Sequence, residues 1–296
     1  MTTGAGAPRP RVVLVDGIPM SALAMQVPDP RGVIEAIHGG ATSSAYFDCP
    51  GRPELSLLRA AGAAGFTAIA LDRPGYGSSA VYAGEFADPG RRVAAAAGTI
   101  DKILGDSDRG AGLFLLGHSA GCELTLRMAT GRDDVVGVEL SGSGLRYTPQ
   151  ARDIIRDATV TSRPAGLRDL LWTPTDLYPA EVLTGALSAP GVAYEGDVTA
   201  RWAGRDFPAL AERLTTPIQF SVADNEKVWQ SSPEALTAIA ALFTASPRVQ
   251  INRMGDSGHN LSVGLTAGDY HRKVLSFTGE CIADAPGRDR EEVEAS

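Results

Sequence analysis

The chain has 296 residues, 44% hydrophobic and 21% charged, with 27 basic against 35 acidic side chains for a formal net charge of -8. This balance fits a globular protein with one full core and excludes a disordered or fibrous chain. The acidic surplus and the lack of a basic run exclude a general phosphate-binding surface, because sequence-independent nucleic-acid affinity comes from Lys and Arg neutralising phosphates.

The first segment, residues 1–10, is rich in Gly, Ala, Thr and Pro and is expected to fray, as is the acidic tail at 283–296. Between them, short β-branched runs alternate with Ala- and Leu-rich stretches of helical length, the pattern of a mostly parallel sheet covered by helices. Strands are expected at 12–15, 23–27, 33–37, 66–71, 112–116, 135–140, 218–222 and 248–252, and helices at 54–64, 90–104, 120–130, 208–214, 233–243 and 262–277. The turn-rich Asp16-Gly17-Ile18-Pro19 between the first two strands predicts an opening antiparallel hairpin. Ser232-Pro233-Glu234 reads as an N-cap with proline at the first helical position.

After the sixth strand the alternation breaks. Residues 145–207 hold Pro149, Pro164, Pro174, Pro179 and Pro190, two of the three tryptophans and no convincing strand, so they are expected to form a helical lid inserted into a core of residues 11–144 and 208–282. Its aromatics Trp172, Tyr178, Tyr194 and Trp202 offer apolar and stacking surface to a substrate, or equally serve to hold the lid on the core.

The sharpest local feature is Gly117-His118-Ser119-Ala120-Gly121, a G-x-S-x-G pattern that is weak alone in a chain with 34 glycines. Its setting strengthens it: a buried-strand run, Gly112-Leu113-Phe114-Leu115-Leu116, precedes it and a helical run from Cys122 follows. Such a strand-to-helix turn exposes the central serine above a helix N-terminus, where developing negative charge is favoured. A serine hydroxyl is a poor nucleophile until a base takes its proton. Of the four histidines, His38, His118, His259 and His271, the best placed is His259, in the loop Gly255-Asp256-Ser257-Gly258-His259-Asn260 after the last strand. A carboxylate must orient that imidazole, and after the penultimate strand two compete, Asp224 and Glu226. The backbone N–H of Ala120, the residue after the serine, is an expected donor to an oxyanion.

This order of nucleophile, acid and base, together with His38-Gly39-Gly40 and Asp72-Arg73-Pro74-Gly75-Tyr76-Gly77-Ser78-Ser79, closely resembles the α/β-hydrolase superfamily of serine esterases and lipases, over about residues 11–278. The resemblance implies an eight-stranded, mostly parallel sheet with helices on both faces and a helical cap after strand 6. It aligns Ala223-Asp224-Asn225-Glu226 with a G-x-x-D segment, which favours Glu226 over Asp224 as the acid, although glutamate and alanine both depart from the pattern. It also makes Gly40, the third residue of an HG-x element, the second oxyanion donor. The loop from Asp72 to Ser79 is expected to shape the end of the sheet without a catalytic role for Arg73 or Tyr76.

The expected activity is therefore hydrolysis of an ester or related acyl bond of a small, largely apolar molecule through Ser119, His259 and Glu226. His38, Gly39, His118, Trp172, Tyr178 and Trp202 are expected to line the substrate site. The same fold also hosts lyases and cyclising or eliminating enzymes that tailor natural products, and non-catalytic ligand-binding relatives. No cofactor or metal is expected: no phosphate loop, dinucleotide fingerprint or ligand cluster is present, and Cys49, Cys122 and Cys281 are too widely spaced for a disulfide framework or a zinc site. Without a signal-peptide pattern or the ~18 apolar residues of a spanning helix, a cytoplasmic monomer or homodimer with no membrane partner is expected. Abundant Ala, Gly and Arg with scarce Lys is the bias of a GC-rich bacterial genome.

Overall fold

A computed structural model describes residues 6–49, 51–156 and 166–284; Pro164 and most of the two ends expected to fray lie outside the described residues. Eight strands form one sheet: β1 (Arg9–Val15), β2 (Ile18–Met25), β3 (Val33–Ile37), β4 (Thr67–Leu71), β5 (Leu113–His118), β6 (Val135–Ser141), β7 (Ile218–Ala223) and β8 (Val249–Met254). Their order is β1-β2-β4-β3-β5-β6-β7-β8. β1 and β2 pair antiparallel, as do β2 and β4, and every other neighbouring pair is parallel.

The opening hairpin turns on Asp16 and Gly17, both at positive φ (49° and 80°), the two-residue turn whose twist matches the strands it joins. β2 starts five residues earlier than the sequence pattern suggests. Pro19 is tolerated there because it faces Leu14 of the edge strand, while pairing with β4 begins only at Ala22, so its missing N–H breaks no central ladder. β1 likewise reaches back into the segment expected to fray, since its register continues to Arg9 opposite Ala24.

The helices are α1 (Leu57–Ala63), α2 (Pro89–Leu104), α3 (Gly121–Ala129), α4 (Pro149–Arg156), α5 (Leu167–Trp172), α6 (Tyr194–Arg201), α7 (Phe207–Ala211), α8 (Pro233–Ala240) and α9 (Ala267–Ala283). α1 begins later than the expected residue 54 because Ser56 is extended and caps it, accepting from the Arg59 N–H at 3.1 Å. Alternate residues of the central strands serve opposite faces. Val33, Ile37, Leu113 and Leu115 pack with α2, α3 and α8, and Ile34, Ala36, Phe114 and Leu116 pack with α1 and α9, the two-sided burial that makes parallel strands read as continuous apolar runs.

One central residue breaks that run. Glu35 on β3 is fully buried, both its carboxyl oxygens lack a hydrogen-bond partner among the described residues, and burial pushes its pKa up to about 8 despite the Arg132 charge. The folded chain therefore holds a proton that the unfolded chain releases from about pH 4.5 upward. Glu35 thus costs stability that grows between about pH 4.5 and 8 and is absent below that window. Glu35→Met is expected to raise the melting temperature, and the gain, on the order of a few kcal/mol at most, is expected to be larger at pH 8.5 than at pH 5. Thermal melts at the two pH values check this; an equal gain at both would show that Glu35 does not titrate in this window.

The chain runs from β3 outward to β4 and then returns past β3 to β5, so the strand order reverses between β3 and β5. In open α/β sheets the crevice at the carboxyl ends of such a pair is where ligands bind. The insertion between β6 and α7, built from α4, α5, α6 and short 3-10 turns, attaches across those strand ends. Ala189 N–H donates to Ala41 O after β3, Tyr194 Oη to Pro74 O after β4, and Asn260 Nδ2, from the loop after β8, to Leu171 O.

Candidate active site

At the reversal point β5 ends on His118, and Ser119 turns the chain into α3 with φ 52°, a left-handed conformation that costs a non-glycine residue energy. The flanking glycines are required by contact. A Cβ at Gly121 would lie 2.4 Å from Ile37 O and 2.6 Å from His38 O, and one at Gly117 would lie 2.4 Å from Thr125 Oγ1. Only hydrogen at these positions lets α3 start so close to β3 and β5. The turn is held by Ser119 N–H donating to Ser141 O at 2.8 Å, and Ser119 O accepts from Cys122 N–H at 3.0 Å.

His259, buried in the loop after β8, places Nε2 3.3 Å from Ser119 Oγ. Its Nδ1 faces both oxygens of Glu226, at 3.0 and 3.1 Å. Glu226 also accepts from the N–H groups of Val228 at 2.8 Å and Trp229 at 3.4 Å. Burial alone would raise the Glu226 pKa; the charge and hydrogen bond of His259 and the two backbone donors outweigh it and hold the carboxyl below the usual range. Asp224 is exposed and turned elsewhere: it accepts from the N–H groups of Asp256 and Ser257, both at 3.0 Å, so it braces the loop that carries His259.

The turn after β3 passes beside the serine. A Cβ on Gly39 would lie 3.1 Å from Ser119 Cβ, and the N–H groups of Gly40 and Ala120 are bonded to no group among the described residues. His38 is spent on the turn itself: its Nδ1–H donates to Gly39 O at 2.8 Å and its Nε2 accepts from Arg73 N–H at 3.0 Å. That pattern needs a neutral ring, and burial, reinforced by the Arg73 charge, pushes its pKa well down. His118 is also buried, 5.1 Å from the His259 ring and stacked on Tyr46 at 4.7 Å, with Ser141 Oγ and Asn260 Oδ1 on its nitrogens. Burial first, and the nearby His259 second, keep it neutral.

The aromatics of the insertion are largely taken up in attaching it. Tyr178 Oη accepts from Asn260 N–H at 3.1 Å and packs so closely on Gly258 that a Cβ there would lie 2.3 Å from that oxygen. Trp202 is buried, donates to Ser143 Oγ at 2.8 Å and stacks on Phe207. Tyr194 is covered by Arg92. Trp172 is half-buried, edge-on to Tyr178.

Two features escaped the sequence. Gly142, at φ 62°, leaves room for both imidazoles, since a Cβ there would lie 2.7 Å from His118 Cε1 and 3.1 Å from His259 Cε1; the run Ser141-Gly142-Ser143-Gly144 at a strand end was its only signal. Buried Arg73 and Tyr76 meet the half-buried Glu195 behind the Gly39-Gly40 turn, and nothing near Glu195 in sequence marks it. Among the described residues no group of three or more His, Cys, Asp or Glu is placed to hold a metal ion, and no helix is long and apolar enough to cross a membrane.

A model of the alpha/beta hydrolase family matches residues 36–270. No curated protein matches the sequence. Among solved structures, the chain is similar to a thermostable carboxyl esterase from Bacillus coagulans (17% identity, 94% of this chain and 99% of that one, TM-score 0.65). It is also similar to a soluble variant of monoglyceride lipase from Saccharomyces cerevisiae (13%, 95% and 97%, 0.69) and to a thioesterase domain from the curacin biosynthetic pathway (16%, 92% and 99%, 0.61). At these identities the likeness is one of fold.

Proposed function

The chain belongs to the alpha/beta hydrolase family, and on that premise we propose that it hydrolyses carboxylic esters of small, largely apolar molecules with Ser119 as nucleophile, His259 as base and Glu226 as the orienting acid. The observation that carries this reading is the continuous line from Ser119 Oγ through His259 to Glu226, buried from His259 inward and starting at a serine in strained, left-handed backbone. His259 Nε2 takes the Ser119 proton as Oγ bonds the substrate carbonyl carbon, and the carbonyl electron pair moves onto oxygen, where the N–H groups of Gly40 and Ala120 receive it. Collapse expels the alcohol, protonated by His259. Water, deprotonated by the same imidazole, then releases the acid and restores the serine. Glu226 stays ionised throughout and keeps Nδ1 protonated, which leaves Nε2 free to accept. The charged groups behind the Gly39-Gly40 turn, Arg73 and Glu195, neutralise each other, so nothing there recruits an ionic substrate.

Short-chain p-nitrophenyl esters in heavy-oxygen water test the reaction class. Hydrolysis puts solvent oxygen into the product acid; acid released without it would contradict attack at the acyl carbon, and intact ester, since an aryl ester offers nothing to eliminate, would favour a binding role or an eliminating enzyme of the same fold.

A further inference from the structure

The Gly39–Gly40 peptide is the pivot of the proposed oxyanion site. In a trans peptide the carbonyl and the following N–H point in opposite directions, so whatever holds Gly39 O also aims the Gly40 N–H. Both residues are glycine, and their backbone would otherwise rotate with little resistance. Gly39 O is held by His38 Nδ1 at 2.8 Å and by Arg73 Nη2 at 2.9 Å. The next peptide is held as well: Ala41, itself at φ 53°, donates its N–H to Tyr76 Oη at 3.0 Å. Arg73 Nη2 and Tyr76 Oη then converge as donors on one atom, Oε1 of Glu195, the tyrosine at 2.7 Å. The Glu195 carboxylate also packs on Gly40, where a Cβ would sit 3.4 Å from each of its oxygens. Arg73 is only 2% exposed, and a buried guanidinium without its carboxylate would be strongly unfavourable.

Glu195 stands on α6, in the insertion, 122 residues along the chain from Arg73. We propose that Glu195 is a positioning residue: through Arg73 and Tyr76 it fixes both peptides that flank Gly40, and because α6 carries it, the oxyanion site is complete only when the insertion is docked. The proposal rests on the reading of Gly40 as an oxyanion donor.

The test compares full-length wild type, Glu195→Gln and Glu195→Ala in hydrolysis of p-nitrophenyl butyrate and in inhibition by an aryl trifluoromethyl ketone, with Ser119→Ala as reference. The ketone carbon bonds Ser119 Oγ, the serine proton passes to His259 and the carbonyl pair becomes an oxyanion, so its affinity reports the aim of the Gly40 N–H. Glu195→Ala is expected to lower kcat by about 10- to 100-fold, the scale of a misplaced or lost oxyanion donor, with KM within about threefold and ketone affinity falling in step with kcat. Glu195→Gln, which keeps an acceptor oxygen for Arg73 and Tyr76, is expected to lose less, and it serves if the alanine variant does not fold. Ser119-dependent hydrolysis with kcat and ketone affinity of both folded variants within about twofold of wild type would overturn the positioning role alone. So would a loss of rate that only follows the unfolded fraction while ketone affinity stays unchanged. Wild-type hydrolysis that does not depend on Ser119 would overturn the functional reading and the positioning role with it.

Discussion

Replacing Ser119 by alanine is expected to lower kcat for ester hydrolysis by about 10⁶-fold, the scale seen when a triad nucleophile is removed, while leaving the melting temperature nearly unchanged. The rate effect is large because, among the described residues, no second nucleophile is poised beside His259: His118 is a buried neutral ring and Cys122, the buried second residue of α3, has its thiol pKa pushed up to about 12, chiefly by burial. The stability effect is small because alanine and serine pay the same penalty at φ 52°, and the backbone bonds of the turn, Ser119 N–H to Ser141 O and Cys122 N–H to Ser119 O, do not involve the hydroxyl. Steady-state kinetics beside a thermal melt check both halves. Retained hydrolysis in a folded Ser119→Ala protein would move the chemistry to another site.

Glu226→Gln is expected to lower kcat by roughly 10³- to 10⁴-fold, as removing the charge of a triad acid does elsewhere, whereas Asp224→Asn should change it by no more than a few-fold. The glutamine amide can turn an NH₂ toward Nδ1 of His259, which favours the tautomer with its proton on Nε2, unable to accept from Ser119. Asp224 accepts from the backbone N–H groups of Asp256 and Ser257 and from Asn225 Nδ2 at 2.8 Å, with no contact to His259, and asparagine keeps one acceptor for them. Burial alone would raise the Asp224 pKa, but the hydrogen bonds from Ser257, Asp256 and Asn225 together outweigh it and lower it, which marks a loop brace and needs no part in proton transfer. The reverse ranking of the two variants would reassign the acid.

The fold was legible because its central strands, β3 to β7, are buried on both sides and read mostly as apolar runs, and because glycine and proline punctuate the chain. Legibility failed where a local device moved a boundary: Ser56 capping α1, and Pro19 accommodated where β2 pairs only with the edge strand. In the site, Ser119, His259 and the two carboxylates stand out because each follows a strand at its carboxyl end, which sequence order reveals. The choice between Asp224 and Glu226 turns on which side chain faces inward two residues apart in an irregular loop, and spacing cannot express that. Glu195 was invisible for a different reason. Its partners Arg73 and Tyr76 follow β4, far away in sequence, and a lone glutamate in the short helix α6 looks like any solvated charge. The aromatics of the insertion carried a composition signal without a direction, and the structure shows Trp202 and Tyr178 engaged in packing and hydrogen bonding.

The most direct test of Ser119 as an activated nucleophile beside an oxyanion site is peptide mass spectrometry after treatment with a serine-directed fluorophosphonate, with Ser119→Ala alongside. The expected result is a single label on the peptide containing Ser119, absent from the variant. No label on the folded wild-type protein, or a label that persists when Ser119 is replaced, would contradict it.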